Sequence, residues 1–250
     1  MKIIAEIGLN HCGSVERANN LVQELNKTSV DTISFQIREK EFYDKTHPRK
    51  FPLPISFYES IINQVHINKK ELCIAIADSG MVNKLDNIGV DLWKTLSWDL
   101  NNYDLHRKLQ KTRKDIYVST GMSSIEEIFE VSKRFNNVIF IHTQLNDLIE
   151  NANLKAINTI RKITNKPTAF GLHCHEHQLL YCSISFEPSA IFFYVKDETN
   201  GEHPDDAHAI SISSVEKLIL SIKRLEKGIG NGEKKPLLNT MHPEDDSICK

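Results

Sequence analysis

The chain has 250 residues, 40% of them hydrophobic and 26% charged, the balance of an ordinary globular protein. A net charge of −2 and a pI near 6.6 give no basis for a nucleic-acid or membrane-surface partner. No apolar run reaches the roughly 18 residues of a membrane span.

The N-terminus runs straight into a strand pattern without a signal peptide. The five cysteines, Cys12, Cys73, Cys174, Cys182 and Cys249, are odd in number and lack CxxC spacing, so they read as free thiols in a reducing cytoplasm. Eight times a short β-rich stretch leads into a helical pattern. Such alternation predicts a parallel sheet, because every return crossing needs a helix. The first strand covers 2–8 and its helix 15–27, with Ala18, Leu21, Val22 and Leu25 on one face and Ser14 as N-cap. The second strand, 32–36, leads into a basic and aromatic loop at 38–54 and a helix at 55–67. Strands at 71–76 and 91–96 precede helices at 81–88 and 103–109. A strand at 115–119 precedes a helix at 124–134, announced by Ser123 with Glu126 as a capping box. The last three units pair 137–142 with 153–164, 168–175 with 178–185, and 190–195 with 215–226. Eight units close into a (β/α)8 barrel over 1–232, leaving a polar tail at 233–250. The alternative, an open doubly wound sheet, lacks the Gly-x-Gly-x-x-Gly turn of a dinucleotide binder.

In a barrel, catalytic and binding groups gather at the carboxyl ends of the strands. That geometry selects Glu6, Asn10 and His11 from strand one, Gln36 from two and Asp78 from three. Strand four adds Lys94, Ser97 and Asp99, and strand five Ser119 and Thr120. Strand six adds His142, Gln144 and Asn146; strand seven His173, His175 and His177; strand eight Tyr194, Lys196 and Asp197. Asp99 and Ser123 also read as helix caps. Glu6 is a carboxylate inside an apolar strand, which costs several kcal/mol unless the group is paired or working. Lys94, flanked by Leu92, Trp93 and Leu96, reads as pointing inward to a phosphate or carboxylate, or as a Schiff-base lysine; the competing reading is a lysine snorkelling to water at the strand edge. Ser97, Ser119 and Thr120 would add hydroxyl donors. On a strand, His173, His175 and His177 would share one face and offer imidazoles to a metal, His175 foremost, with His11 and His142 as further ligands; the competing reading is a surface histidine group.

These residues carry a resemblance. Ala5-Glu6-Ile7-Gly8-Leu9-Asn10-His11 with Gly13, Phe35-Gln36, Lys94-Thr95-Leu96-Ser97 and Ser119-Thr120-Gly121-Met122, in that order and spacing, resemble the N-acetylneuraminate (sialic acid) synthase family. The resemblance implies a (β/α)8 barrel that condenses phosphoenolpyruvate with an N-acetylmannosamine-type sugar or its phosphate, giving a nine-carbon 2-keto acid. It implies a divalent metal, Mn2+ or Mg2+, on the sugar aldehyde. Glu6 matches the family's proton-handling glutamate, and Lys94, Ser97 and Ser119 match its phosphoenolpyruvate contacts. His175 matches a metal ligand. His208, ahead of Ser211, is similar to the histidine of a Pro-Asp-His motif, with Asp206 and Ala207 inserted after Pro204-Asp205. The expected site has Glu6 and Lys94 as catalytic groups, Asn10, Gln36, Ser97, Ser119, Thr120 and His208 against substrate, and His175 with His173 on the metal.

The departures are specific. Ser34 stands where the family has a lysine that binds phosphoenolpyruvate; losing such a contact costs roughly 2–4 kcal/mol in the transition state. Tyr194 stands where it has a second metal-binding histidine, and a phenol with pKa about 10 is a poor manganese ligand. His142-Thr143 leads to Leu145-Asn146-Asp147, where the family has His-Cys and a Tyr-Pro pair. The C-terminal antifreeze-like domain of many bacterial members is expected to be absent. Arg38, Lys40, Lys45, Arg49 and Lys50 could replace the missing lysine, against the simpler reading of a solvated basic loop. Three functions follow: a divergent cytoplasmic synthase of polysaccharide or glycan precursors, a catalytically degenerate barrel that binds a sugar or protein partner, or a metal-dependent hydrolase or isomerase built on the strand-seven histidines. A homodimer is expected of such a barrel, although no face in the sequence requires one.

Overall fold

The computed structural model describes residues 1–45, 52–199, 201 and 203–235. Arg49, Lys50, Cys249 and most of the tail expected at 233–250 lie outside them. Eight parallel strands form the centre: β1 (Lys2–Gly8), β2 (Thr32–Ile37), β3 (Glu71–Ile76), β4 (Leu92–Thr95), β5 (Ile116–Ser119), β6 (Val138–His142), β7 (Thr168–Gly171) and β8 (Ala190–Lys196). Each bonds to the next, and β8 returns to β1 from Lys2↔Ala190 to Glu6↔Tyr194, closing the barrel. The two-residue strand β9 (Ile210–Ser211) extends the far end of β8. The helices are α1 (Val15–Asn26), α2 (Lys40–Lys45), α3 (Ile55–Ile67), α4 (Val82–Ile88), α5 (Tyr103–Lys111), α6 (Ile125–Arg134), α7 (Ala156–Thr164), α8 (Gln178–Ser183) and α9 (Ile212–Ile229). The architecture is the (β/α)8 barrel. Among the described residues, no helix is long and apolar enough to cross a membrane.

The period of two along each strand sorts the side chains into two compartments. Ile3, Ala5 and Ile7 of β1 and Ile33 and Phe35 of β2 face the helices and join Leu21, Leu25 and Phe57 in the main core. The alternate positions face the barrel axis. There Ile4, Cys73, Leu92, Tyr117, Ile141 and Phe192 form a separate buried cluster. Two residues further along, the inward layer turns polar: Glu6, Ser34, Lys94 and Ser119, with Tyr194, are all buried. The barrel is thus plugged with hydrocarbon below and lined with chemistry above.

Several boundaries differ from the sequence expectation. β7 stops at Gly171 instead of continuing to His175. Its neighbour β6 ends with the pair His142↔Phe170, and the rung from the Leu172 amide to the Phe192 carbonyl at 3.1 Å closes the ladder, so His173–His177 have no strand to pair with. The capping box of α6 is built by Ser124 and Glu127, one residue later than expected, because the Ser123 amide is spent in a turn onto the Thr120 carbonyl. The loop after β2 contains α2, and residues 46–51 of it lie outside the described ones. Asn102, whose side chain accepts from the Leu105 amide, caps α5; Asp99 braces that cap through Asn102 Nδ2 at 3.1 Å. Ser14 caps α1 as expected, accepting from the Arg17 amide.

Gly8 ends β1 where the ladder to β2 slips between Glu6↔Ser34 and Gly8↔Phe35. Its φ is +55°, and a Cβ there would lie 2.8 Å from Cε1 of Tyr194. Both the left-handed backbone and the contact require glycine. Gly8→Ala is expected to lower stability by about 1–3 kcal/mol, read as a drop in the urea midpoint; an unchanged midpoint would show that the ring yields freely.

Candidate active site

At the carboxyl end of the barrel lies a cavity of about 250 Å³. Gln36, Lys94, Ser97, Ser119, His173 and Tyr194 line it, contributed by five strands or the turns that follow them. Asp205 and Pro204, from the loop after β8, and Arg38, Phe42 and Trp98, from the turns after β2 and β4, complete its wall. Sequence reasoning selected the first six for their strand-end position. It missed Asp205 and Trp98, and offered Arg38 only as one of five cations of a basic loop, with a solvated loop as the simpler reading.

Beneath the cavity, Lys94 Nζ lies 2.6 and 2.7 Å from the two carboxylate oxygens of Glu6. Both side chains are almost wholly buried. The pair answers the question raised by a carboxylate in an apolar strand: each charge is the other's solvent. Lys94 therefore points inward, and the snorkelling alternative falls. The Ser34 hydroxyl is 3.5 Å from Glu6 Oε1. Lys94 Nζ also lies 5.2 Å from the Phe192 ring centroid and 5.8 Å from that of Tyr194, so aromatic faces surround the charge. The Tyr194 phenol is pushed well above its ordinary value, first by burial and then by the Glu6 and Asp205 carboxylates. Ser97 Oγ and Ser119 Oγ sit 2.8 Å apart at the cavity wall, a hydroxyl pair beside the ammonium.

The loop carrying Asp205 and His208 is held by residues that sequence reading assigned to the site itself. Asn10 is fully buried; its Nδ2 donates to the Val195 carbonyl at 2.8 Å and its Oδ1 accepts from the Asp205 amide at 3.1 Å. Lys196 Nζ holds Asp206 Oδ1 at 2.8 Å, and Asp197 Oδ1 takes His203 Nε2 at 2.9 Å. These side chains position the loop and lie behind the wall. Thr120 spends its hydroxyl on the Ile141 carbonyl at 2.9 Å and lines a neighbouring cavity with His142 and Gln144. His142 is fixed by the Ala152 carbonyl at 2.9 Å. His11 accepts from the Gly13 amide, and burial followed by the nearby Arg17 charge lowers its pKa to about 4. Neither His11 nor His142 lines the mouth cavity. Asp78 and Asn146 serve local turns through the Gly80 and Leu148 amides.

The histidines do not form the strand-borne metal face that their spacing suggested. His173 turns into the cavity, where burial, with His208 and Lys94 beside it, lowers its pKa to about 3. His175 is exposed and bonds the Ala207 carbonyl through Nδ1, with Nε2 3.8 Å from Asp147. His177 Nε2 lies 3.3 Å from the His208 carbonyl. His173 instead packs with Tyr194 and His208 in a triangle of rings 4.9–5.3 Å apart. Burial lowers His208 to about 4, and its Nε2 is buried without a hydrogen-bond partner, 3.9 Å from Asp205 Oδ1.

Two neutral imidazoles, one of them with an orphaned nitrogen, are suitable donors, but a hard divalent ion asks for more, chiefly oxygen, ligands. Among the described residues, no three His, Cys, Asp or Glu side chains converge to hold a metal ion. The described residues therefore supply a short donor set for the metal that the resemblance implied, and the strand-borne histidine face behind the metal-hydrolase reading is not formed. Manganese titrated into the protein alone is expected to show no binding tighter than millimolar by calorimetry; a micromolar site would overturn this. Lys94→Met is expected to cost about 3–5 kcal/mol in urea unfolding by leaving the Glu6 carboxylate buried alone, and Glu6→Leu in the same chain should recover most of it. A double variant no more stable than Lys94→Met would refute the pairing.

Comparison with known proteins agrees with this fold. The NeuB family model matches residues 16–234. An uncharacterized protein of Methanocaldococcus jannaschii is 30% identical over 94% of this chain and 74% of its own length. The N,N'-diacetyllegionaminic acid synthase of Campylobacter jejuni is 23% identical over 93% of this chain and 78% of its own. In fold, the chain is similar to the N-acetylneuraminic acid synthetase of Leptospira borgpetersenii in complex with citrate, with a TM-score of 0.85 at 22% identity, covering 94% of this chain and 87% of that one. A family match of that extent makes this chain a member of the NeuB family.

Proposed function

We propose that this chain condenses phosphoenolpyruvate with an N-acetylmannosamine-type amino sugar, or its phosphate, to a nine-carbon 2-keto sugar acid. The observation that carries the reading is the meeting of Lys94, Ser97 and Ser119 in one cavity, directly above the carboxylate of Glu6. An ammonium and two hydroxyls within a buried wall suit the phosphate and carboxylate of phosphoenolpyruvate. Named relatives are sialic, legionaminic and pseudaminic acid synthases, which supports a sugar aldehyde as the second substrate. Free thiols at Cys12, Cys73, Cys174 and Cys182 suit a reducing cytoplasm.

In this reading C3 of the enol forms the new carbon–carbon bond to the sugar aldehyde carbon. Water adds at C2, and inorganic phosphate leaves from the resulting tetrahedral carbon. The water gives up both its protons: one is balanced by the proton gained at the aldehyde oxygen, and the other, lost as C2 becomes the ketone, goes to the departing phosphate. Glu6 is the carboxylate at hand to take a proton, and Lys94, bonded to both its oxygens, can pass one back toward the cavity. No step here is assigned to a metal.

A second reading, a non-catalytic sugar-binding barrel, is favoured by the buried Tyr194 ring at the strand-eight position and the short metal donor set. The test is phosphate release from phosphoenolpyruvate with a panel of amino-sugar aldehydes. Turnover reduced about 10²–10⁴-fold by Glu6→Gln is expected. No phosphate release with any of them, with or without added metals, would sink the synthase reading and leave the binding barrel.

A further inference from the structure

Resting on the synthase reading, we propose that Arg38 is the cation that receives the phosphate of the anionic substrate, held edge-on to the cavity by Phe42 and Trp98. Ser34, Gln36 and Arg38 alternate onto the same side of the chain as β2 leaves the barrel. Ser34 is neutral and stands beside Glu6; positive charge on this side returns two steps nearer the mouth.

The placement is that of a built site. The Arg38 side chain is only 11% exposed, although it follows the last strand residue, whereas Lys40 and Lys45 of the same segment are exposed. Its guanidinium carbon lies 3.8 Å from the Phe42 ring centroid and 4.6 Å from that of Trp98. Aromatic faces hold the guanidinium while leaving its N–H edge available for an oxyanion. Nε donates to Glu39 at 3.0 Å, just before α2, and the Arg38 amide donates to the Tyr43 hydroxyl within α2 at 3.0 Å, which fixes both side chain and backbone. Among the described residues, the hydrogen bond of the guanidinium runs through Nε alone. The terminal nitrogens are the ones that grip phosphate in a two-pronged contact.

The inventory of cations points the same way. Lys94 is matched by Glu6 through both carboxylate oxygens, so that pair brings no net charge to the cavity. Asp205, in the loop after β8, adds a carboxylate to the lining. Among the described lining residues the cations are Lys94 and Arg38. Arg38 is itself paired with Glu39 through Nε at 3.0 Å, so what it offers a phosphate is the fork of its terminal N–H groups rather than an unmatched charge. Trp98, about half exposed in a turn otherwise made of polar groups, gains a purpose as the outer face of this clamp.

The experiment is calorimetric titration of phosphoenolpyruvate and of inorganic phosphate into the protein and its Arg38→Met, Arg38→Lys and Trp98→Leu variants, with circular dichroism for folding. Arg38→Met is expected to weaken phosphoenolpyruvate about 30-fold or more, the loss of a charged two-pronged contact. Arg38→Lys, which keeps the charge but not the planar fork, should lose about 5–10-fold, and Trp98→Leu about 3–5-fold. Unchanged phosphoenolpyruvate affinity in Arg38→Met, or in Arg38→Lys and Trp98→Leu should the first not fold, overturns the assignment and leaves the synthase reading standing. Parent protein that binds phosphate but not phosphoenolpyruvate, with phosphate lost in Arg38→Met, keeps the clamp and overturns the synthase reading. Parent protein that binds neither overturns both.

Discussion

A salt bridge closed in a dry barrel governs this molecule. Glu6 and Lys94 are 88 positions apart in sequence and meet between β1 and β4. Both side chains are almost wholly buried, so the two strands must hold each other's partner in place. Around them the inward layer is chosen to suit the pair. A small hydroxyl stands on the β2 side at Ser34, and the rings of Phe192 and Tyr194 stand on the β8 side. Below is hydrocarbon, above is an opening with two serines. The polar layer is thus stable enough to persist and exposed enough on its upper side to act.

Much of this was legible in the sequence, for identifiable reasons. Strand and helix alternation is a property of single segments, so eight units and their closure could be read directly. The inward orientation of Lys94 was readable because a lone lysine in an apolar strand has few alternatives. The histidine run was misread because strand length depends on the neighbouring strand. Nothing within 168–175 announces that β6 ends at His142 and leaves those residues without a ladder. Asn10 and Asp197 look like site residues in a strand-end census, and in the structure both tether the loop after β8. The sequence distance between Asn10 and Asp205 hides that relation. Arg38 failed for the converse reason: in a basic stretch it looks like its neighbours, and only the two rings that receive it set it apart.

The departures at Ser34 and Tyr194 acquire a common meaning. The strand-eight position carries a ring in a cluster with His173 and His208, and the strand-two position carries a hydroxyl beside Glu6. Together they make the inner wall around the Glu6–Lys94 pair aromatic and neutral. The other cation that lines the cavity, Arg38, stands further out, at the rim formed by α2 and the turn after β4.

The fit between Gly8 and Tyr194 makes the two positions unequal. The backbone at Gly8 demands glycine whatever stands opposite, whereas the ring at Tyr194 is seated in space that a Cβ at Gly8 would enter. Shrinking the residue at 194 would therefore remove the clash and leave the left-handed backbone still asking for glycine. The turn constrains the wall, and the wall does not constrain the turn.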